Sequence, residues 1–295
     1  MMLSRSLVLL FTASLALQAV AGETPDRNTF LPDDRVEADL EAARYSKVVR
    51  VGYGCTGAMV GLNLVLTAAH CIDHLYQEVL NPATQAMERR QTHRAVVFAK
   101  YRAGQYQAYA YGSKISMDMS YFTASNKNGV DWAIIQLDTN LADEAGISYF
   151  GTLAELPSES DYNHGLTLAG YSSDRESGTV LTTHEGCKIR SHQDGDNRLY
   201  HDCDMARGAS GASLFKCSND ALGREQCYVV AVNVAEYRDA DTSMHVPDSS
   251  YWQRRNVAVN ARAWSGEVAR LRALYPNGAP PPPAPTPVQT PVQNP

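Results

Sequence analysis

Three short stretches hold the residue types that acyl transfer needs. Thr67-Ala68-Ala69-His70-Cys71 closes an apolar run and ends on a histidine beside a cysteine. Gly129-Val130-Asp131-Trp132-Ala133-Ile134-Ile135 offers a carboxylate at the start of a hydrophobic strand, and Arg207-Gly208-Ala209-Ser210-Gly211-Ala212-Ser213 sets a serine in a glycine-flanked turn. In that order they supply base, orienter and nucleophile. His70 takes the Ser210 proton and returns it to a leaving amine, while Asp131 fixes the imidazole tautomer and stabilises the cation. Gly208 can enter a turn that side chains block, so that its N–H and that of Ser210 face a developing oxyanion.

Each stretch alone has a plainer explanation: a histidine at a strand end, a carboxylate in a turn, a serine in a glycine-containing loop. Their joint occurrence favours chemistry. Asp118 and Asp138 are the alternatives to Asp131, which is preferred because burial of residues 132–135 would desolvate a carboxylate beside His70. Ser213 is the rival of Ser210 but lacks a following glycine and is expected to point into a strand. The other histidines, His74, His93, His164, His184, His192, His201 and His245, have no ligand-like spacing and read as surface or strand positions. With no Cys-x-x-Cys, a zinc site is disfavoured, and neither metal nor cofactor is expected.

The three motifs, in this order and spacing, resemble those of the chymotrypsin-like (trypsin-fold) serine proteases, most of all the bacterial glutamyl-endopeptidase (V8-like) branch. Asp33-Asp34-Arg35 and Gly170-Tyr171-Ser172-Ser173-Asp174 resemble further segments of that branch. The resemblance implies an all-β fold of two six-stranded antiparallel β-barrels with a C-terminal helix, an active site in the cleft between them, and protein or peptide substrates cleaved through an acyl-enzyme. It places Asp204, Met205 and Arg207, with Asn233, Val234 and Ala235 on a substrate-pairing strand, among the substrate contacts. Asp204 lies where trypsin keeps the acid that selects Arg or Lys, although bacterial relatives carry an aspartate there without that preference. Asn233 stands where glutamate-specific relatives have a histidine. Ala209 replaces the aspartate that pairs with a newly cut N-terminal amine in the animal digestive branch, so activation by that ion pair is not expected.

These residues need a scaffold, and the chain of 295 residues, 44% hydrophobic, can bury a sizeable core. A signal peptide is expected over 1–21, from Arg5, an apolar run and Ala19-Val20-Ala21, and a propeptide or N-terminal arm over 22–43. The first barrel is expected over 44–142, with strands at 48–51, 57–60, 64–66, 95–99, 105–111 and 132–137. A turn-rich connection follows over 143–164. The second barrel is expected over 165–264, with strands at 166–171, 179–182, 187–190, 199–203, 212–215, 228–234 and 256–260. Ser265 is expected to cap a helix over 265–276 with Val268, Leu271 and Leu274 on one face. Residues 277–295 read as a proline-rich tail or linker without a core.

Six cysteines beyond the signal fit an oxidising compartment, secreted or periplasmic. Short spacing favours Cys55 with Cys71, Cys187 with Cys203 and Cys217 with Cys227, and the first pairing matches the family's bridge beside the catalytic histidine. A net charge of −6, with Arg89-Arg90 and Arg254-Arg255 too short for a basic patch, argues against nucleic acid. A monomer without membrane attachment after signal removal is expected. Two other classes compete: a non-catalytic protease homologue that binds a partner in the same cleft, and an α/β-hydrolase. The latter needs a glycine at Ala212 and helices between strands, which the sequence lacks.

Overall fold

Short runs of small and β-branched residues account for the first barrel. In the computed structural model, which describes residues 32–153, 165–192, 197–237 and 255–278, six of these runs close on one another. Going round, the strands are Val48–Val51, Cys55–Met59, Leu64–Thr67, Ala133–Leu137, Ala108–Met117 and Val96–Ala99, each antiparallel to its neighbours. Val49, Met59, Val65, Val97 and Ile135 fill the interior.

The second half of the chain forms one long sheet. Its strands run in the order Val36–Glu37, Thr182–Cys187, Leu166–Gly170, Ser213–Asn219, Glu225–Tyr237, Arg255–Asn260, Arg198–His201 and Ile189–His192, with Gly151–Thr152 lying parallel to Glu225–Tyr237. Cys187 ends a strand at one side of this sheet and Ile189 begins the strand at the other. The chain and the Cys187–Cys203 bridge therefore draw the two sides together. A common core joins the halves: Leu66, Trp132 and Ile134 from the first pack with Phe215, Val232, Val257 and Trp264 from the second. This is the all-β, chymotrypsin-like architecture with a C-terminal helix.

The helix, Ser265–Leu274, buries Val268 and Leu271 against that core. Leu274 is instead exposed, and Ser265 makes no cap. The N-cap position belongs to Trp264, which leaves the 3-10 turn Ala261–Ala263 and buries its indole, so the helix starts on a packing contact. Arg272 ties the helix to the first half by donating to the Val60 and Phe150 carbonyls.

Several expected boundaries move. The strand expected at 105–111 begins at Ala108 and continues to Met117, because Arg102 and Gln105 close a tight turn before it. The 3-10 turn Glu176–Gly178 precedes the strand expected at 179–182, which starts only at Thr182. A hairpin of Tyr76–Leu80 and Met87–Gln91 was not foreseen; its residues are largely polar, and Glu78 pairs with Arg89 directly opposite, so no apolar alternation signals it. The connection over 143–164 contains Gly151–Thr152 and follows the short helix Leu141–Glu144. The expected signal over 1–21, the arm up to 31, residues 154–164 and the tail from 279 lie outside the described residues.

Candidate active site

The Leu64–Thr67 strand is buried throughout; Ala68 keeps the chain extended, and the 3-10 turn Ala69–Cys71 then presents His70. Cross-strand pairing of Thr67 with Ala133 brings the residues just beyond each strand end together. Asp131 thus reaches His70 with both oxygens. Oδ1 accepts from the His70 backbone N–H at 2.9 Å, and Oδ2 accepts from Nδ1 at 2.7 Å. With the carboxylate only an acceptor, Nδ1 carries the proton and Nε2 is left as the base. Burial alone would lower the His70 pKa, but the hydrogen bond and charge of Asp131, with help from Asp73, outweigh it and raise the pKa above its ordinary value.

The serine turn is held from the first barrel. Thr56 donates its N–H to the Ser210 carbonyl at 2.9 Å and its hydroxyl to the Gly208 carbonyl at 2.7 Å. Gly208 and Gly211 have φ of +94° and +83°, and both are crowded: a Cβ on Gly208 would lie 2.3 Å from the Tyr171 carbonyl oxygen, and one on Gly211 would lie 2.1 Å from that of Thr56. Cys71 Sγ, next to His70 in the chain and bridged to Cys55, sits 3.7 Å from the Ser210 carbonyl oxygen. The serine backbone therefore rests against the disulfide that braces the histidine. No hydrogen bond joins the Ser210 hydroxyl to the imidazole in this state.

Around the turn, the N–H groups of Ala209, Gly211 and Ala212 donate to Ala206, Asn233 and Ala209. Those of Gly208 and Ser210 have no acceptor among the described residues. Two unspent donors flanking Ala209 can receive an oxyanion. Ser213, the alternative nucleophile, is buried with its hydroxyl unpaired, turned away from solvent.

The family model for Trypsin matches residues 35–248. The chain belongs to the trypsin family. Its fold is similar to that of a Glu endopeptidase solved in complex with MPD, with a TM-score of 0.56 and 19% identity over 82% of this chain and 97% of that one. It is also similar to the protease Anisep from Arthrobacter nicotinovorans, with a TM-score of 0.51 and 18% identity over 78% of this chain and 96% of that one.

Two residues expected to touch substrate are placed otherwise in this trypsin-family chain. The Asp204 side chain is fully buried: its Oδ2 accepts from the Asp34 N–H at 3.0 Å and lies 3.3 Å from His184 Nδ1. The same Nδ1 accepts from the Asp204 N–H at 2.9 Å when the ring is neutral. Burial alone would lower the His184 pKa, but the Asp204 carboxylate raises it. Asn233 is likewise buried, and both ends of its amide are engaged. Cys203 N–H donates to His201 Nδ1 at 3.3 Å, His201 Nε2 donates to Asn233 Oδ1 at 3.1 Å, and Asn233 Nδ2 donates to the Ala209 carbonyl at 3.0 Å. This directed chain needs a neutral imidazole, and full burial pushes the His201 pKa down to about 4. Met205 and Val234 are buried, Ala235 is half-buried and Arg207 is exposed.

The six cysteines form the three bridges expected from their spacing, and no free cysteine remains. Sequence reasoning passed over Thr56 and His201. Thr56 follows the bridged Cys55, and its role depends on a contact made 152 residues away. His201 closes the Arg198–His201 strand, where every second residue is buried, a period that would have put it in the core.

Proposed function

We propose that this chain is an exported serine endopeptidase that cleaves peptide bonds through a His70-Asp131-Ser210 triad and an acyl-enzyme. The observation that carries the reading is the two-point hold of Asp131 on His70, beside a turn whose Gly208 and Ser210 amides are unspent. As a substrate carbonyl settles near those amides, Ser210 Oγ attacks, and its proton passes to His70 Nε2. Asp131 stabilises the resulting imidazolium, and the carbonyl oxygen takes up negative charge between the two N–H groups. The imidazolium then protonates the leaving amine, and a water deprotonated by His70 releases the acid. Triad hydrogen bonds of this type often tighten only when substrate binds.

Three disulfides and the apolar segment expected over 1–21 support export. Asp204, committed to His184 and the arm, offers no free carboxylate to a basic side chain, so a preference for Arg or Lys is not proposed. Asn233, Met205 and Val234 are buried, while Ala235 and Arg207 are open to a bound peptide.

The Ser210→Ala variant tests this reading. The parent protein should hydrolyse casein and take up a fluorophosphonate probe, and the variant should do neither while remaining folded. A parent that stays unlabelled would support the second reading, a protease homologue that only binds.

A further inference from the structure

Thr56 lies fully buried in the Cys55–Met59 strand of the first barrel. A buried threonine hydroxyl commonly returns its bond to a backbone group a few residues away. This one reaches out of its barrel instead. It accepts the Tyr171 N–H at 3.0 Å and donates to the Gly208 carbonyl at 2.7 Å, partners 115 and 152 residues along the chain. A hydroxyl has a single proton to give, and here it goes to the serine turn.

Both partners bear on the amides that face the reacting carbonyl. Tyr171 opens the stretch in which Ser173 N–H donates to the Arg207 carbonyl at 2.6 Å. A trans peptide points its C=O and N–H in opposite directions, so the anchored Arg207 carbonyl turns the Gly208 N–H the other way. The peptide before Ser210 is set alike: its Ala209 carbonyl accepts from Asn233 Nδ2 and from the Ala212 N–H, each at 3.0 Å. Between these two lies the peptide that joins Gly208 to Ala209. Its carbonyl is the one Thr56 clamps, and its N–H donates to the Ala206 carbonyl at 3.1 Å. Gly208, at φ +94°, has the backbone freedom to let this peptide turn, and a turn there would swing the two flanking N–H groups out of alignment.

The backbone of Thr56 adds two further ties. Its N–H donates to the Ser210 carbonyl at 2.9 Å, and its carbonyl accepts the Thr67 hydroxyl at 2.7 Å, three residues before His70. One residue therefore joins the strand that leads to the base, the turn that carries the nucleophile and the loop behind the oxyanion donors. Ala209 has no carboxylate with which to anchor this turn, so the anchoring falls to its carbonyls.

We infer that the Thr56 hydroxyl is a positioning group for the oxyanion site, clamping the Gly208 carbonyl so that the Gly208 and Ser210 amides converge on the developing negative charge. This role rests on the reading of Ser210 as the nucleophile. Thr56 itself touches no substrate; its effect reaches the transition state through Gly208.

Three variants test this. Thr56→Val keeps the shape of the side chain and removes the hydroxyl, and Thr56→Ser keeps the hydroxyl. Thr56→Ala leaves room for a water, so that a hydroxyl-free protein remains to be measured if the valine variant does not fold. kcat and KM are read on a fluorogenic casein peptide, with urea unfolding to establish that each protein is folded under the assay conditions. In Thr56→Val, kcat should fall about 10²-fold, the scale of losing one oxyanion donor, with KM changed by less than about threefold. Thr56→Ala should lose activity in the same direction, and Thr56→Ser should return kcat to within about threefold of the parent. Fluorophosphonate labelling should slow in step with kcat. Parental kcat in a folded hydroxyl-free variant would overturn the role, as would a loss that serine does not restore, or a raised KM at unchanged kcat. A parent that neither labels nor cleaves the peptide would overturn the proposed function and this role with it, whereas an active parent matched by all three variants overturns this role alone.

Discussion

Asn233 Nδ2 donates to the Ala209 carbonyl across 3.0 Å, so a buried amide on the Glu225–Tyr237 strand fixes the residue that precedes Ser210. The same residue's carbonyl accepts the Gly211 N–H at 2.8 Å, holding the turn on the other side of the serine. Neither bond touches substrate, yet together they set where Ser210 and its amide point.

Replacing Asn233 by leucine removes the carboxamide, leaving His201 Nε2–H buried without its acceptor and the Ala209 carbonyl with the Ala212 N–H alone. An orphaned buried polar group costs about 1–3 kcal/mol. A loss of stability in that range in urea unfolding is expected. The rate of fluorophosphonate labelling should fall as well, because the turn is no longer held. Labelling at the parental rate would show that the turn holds its shape without Asn233.

His201 makes stability depend on pH in a defined direction. Its folded pKa of about 4 lies below the ordinary 6.5, so the unfolded chain binds more protons between those values and stability falls as pH drops through that window. For a fully buried imidazole the effect is on the order of 3 kcal/mol. His201→Gln keeps a donor for Asn233 but cannot titrate. Unfolding free energies measured from pH 7 to 4 should decline less steeply in the variant, and parallel curves would mean that His201 charges as easily in the fold as outside it.

Asp131 raises the pKa of His70, which has the opposite sign. A protonated imidazole cannot serve as base, so activity should rise with pH along a limb centred above 6.5. Its contribution to stability is fully present below 6.5 and is lost as pH rises through the folded pKa. Asp131→Asn removes the charge and the tautomer control together. Such a change costs on the order of 10⁴-fold in kcat. The residual activity should show its limb shifted to lower pH, and an unshifted limb would locate the titrating group elsewhere.

The motif residues were legible because their chemistry is local. Thr67 to Cys71, Asp131 before an apolar strand and Gly208 to Gly211 each carry their own context, and cysteine spacing anticipated all three bridges. What stayed hidden depends on contacts between distant segments. Asp204 read as a pocket acid because nothing near it in the sequence reveals that Asp34, 170 residues earlier, caps its carboxylate. Asn233 read as a substrate contact because strand alternation alone cannot say which face meets Ala209. The Tyr76–Leu80 hairpin was missed because its residues are largely polar and it lacks a buried face.

Gly211 tests the steric demand at the serine turn. Its φ of +83° disfavours any side chain, and a Cβ there would meet the Thr56 carbonyl oxygen at 2.1 Å and the Thr67 hydroxyl at 2.3 Å. The first contact is backbone and cannot swing aside. Gly211→Ala is therefore expected to push the turn away from Thr56, breaking the bond from Thr56 N–H to the Ser210 carbonyl. Casein hydrolysis should fall by about 10²-fold or more, the scale of a nucleophile displaced by about 1 Å. Full activity in the variant would mean that the clasp from Thr56 does not set the serine's position.

Arg35 joins the arm to the loop behind the serine turn. Its side chain is almost fully buried; it donates to Asp33 at 2.8 and 2.9 Å and to Asp174 at 2.5 and 3.0 Å, and the next residues, Val36–Glu37, extend the second sheet. The hydrogen bonds of Arg35 outweigh burial and hold the Asp33 carboxyl well below the usual carboxylate range. The loop that Asp174 belongs to also reaches the serine turn, since Ser173 N–H donates to the Arg207 carbonyl at 2.6 Å and the Tyr171 carbonyl packs on Gly208. Arg35→Ala leaves two partly exposed carboxylates that water can solvate, so a cost of about 1–3 kcal/mol is expected, below that of stranding a buried charge. Activity should fall further than this stability loss explains, with kcat affected more than KM, because the turn that receives the oxyanion loses its backing. Arg35→Lys should restore only part of it, since a single ammonium cannot bridge both carboxylates as the planar guanidinium does. Equal kcat in parent and Arg35→Ala, with the stability loss confirmed by urea unfolding, would confine the arm to a structural role.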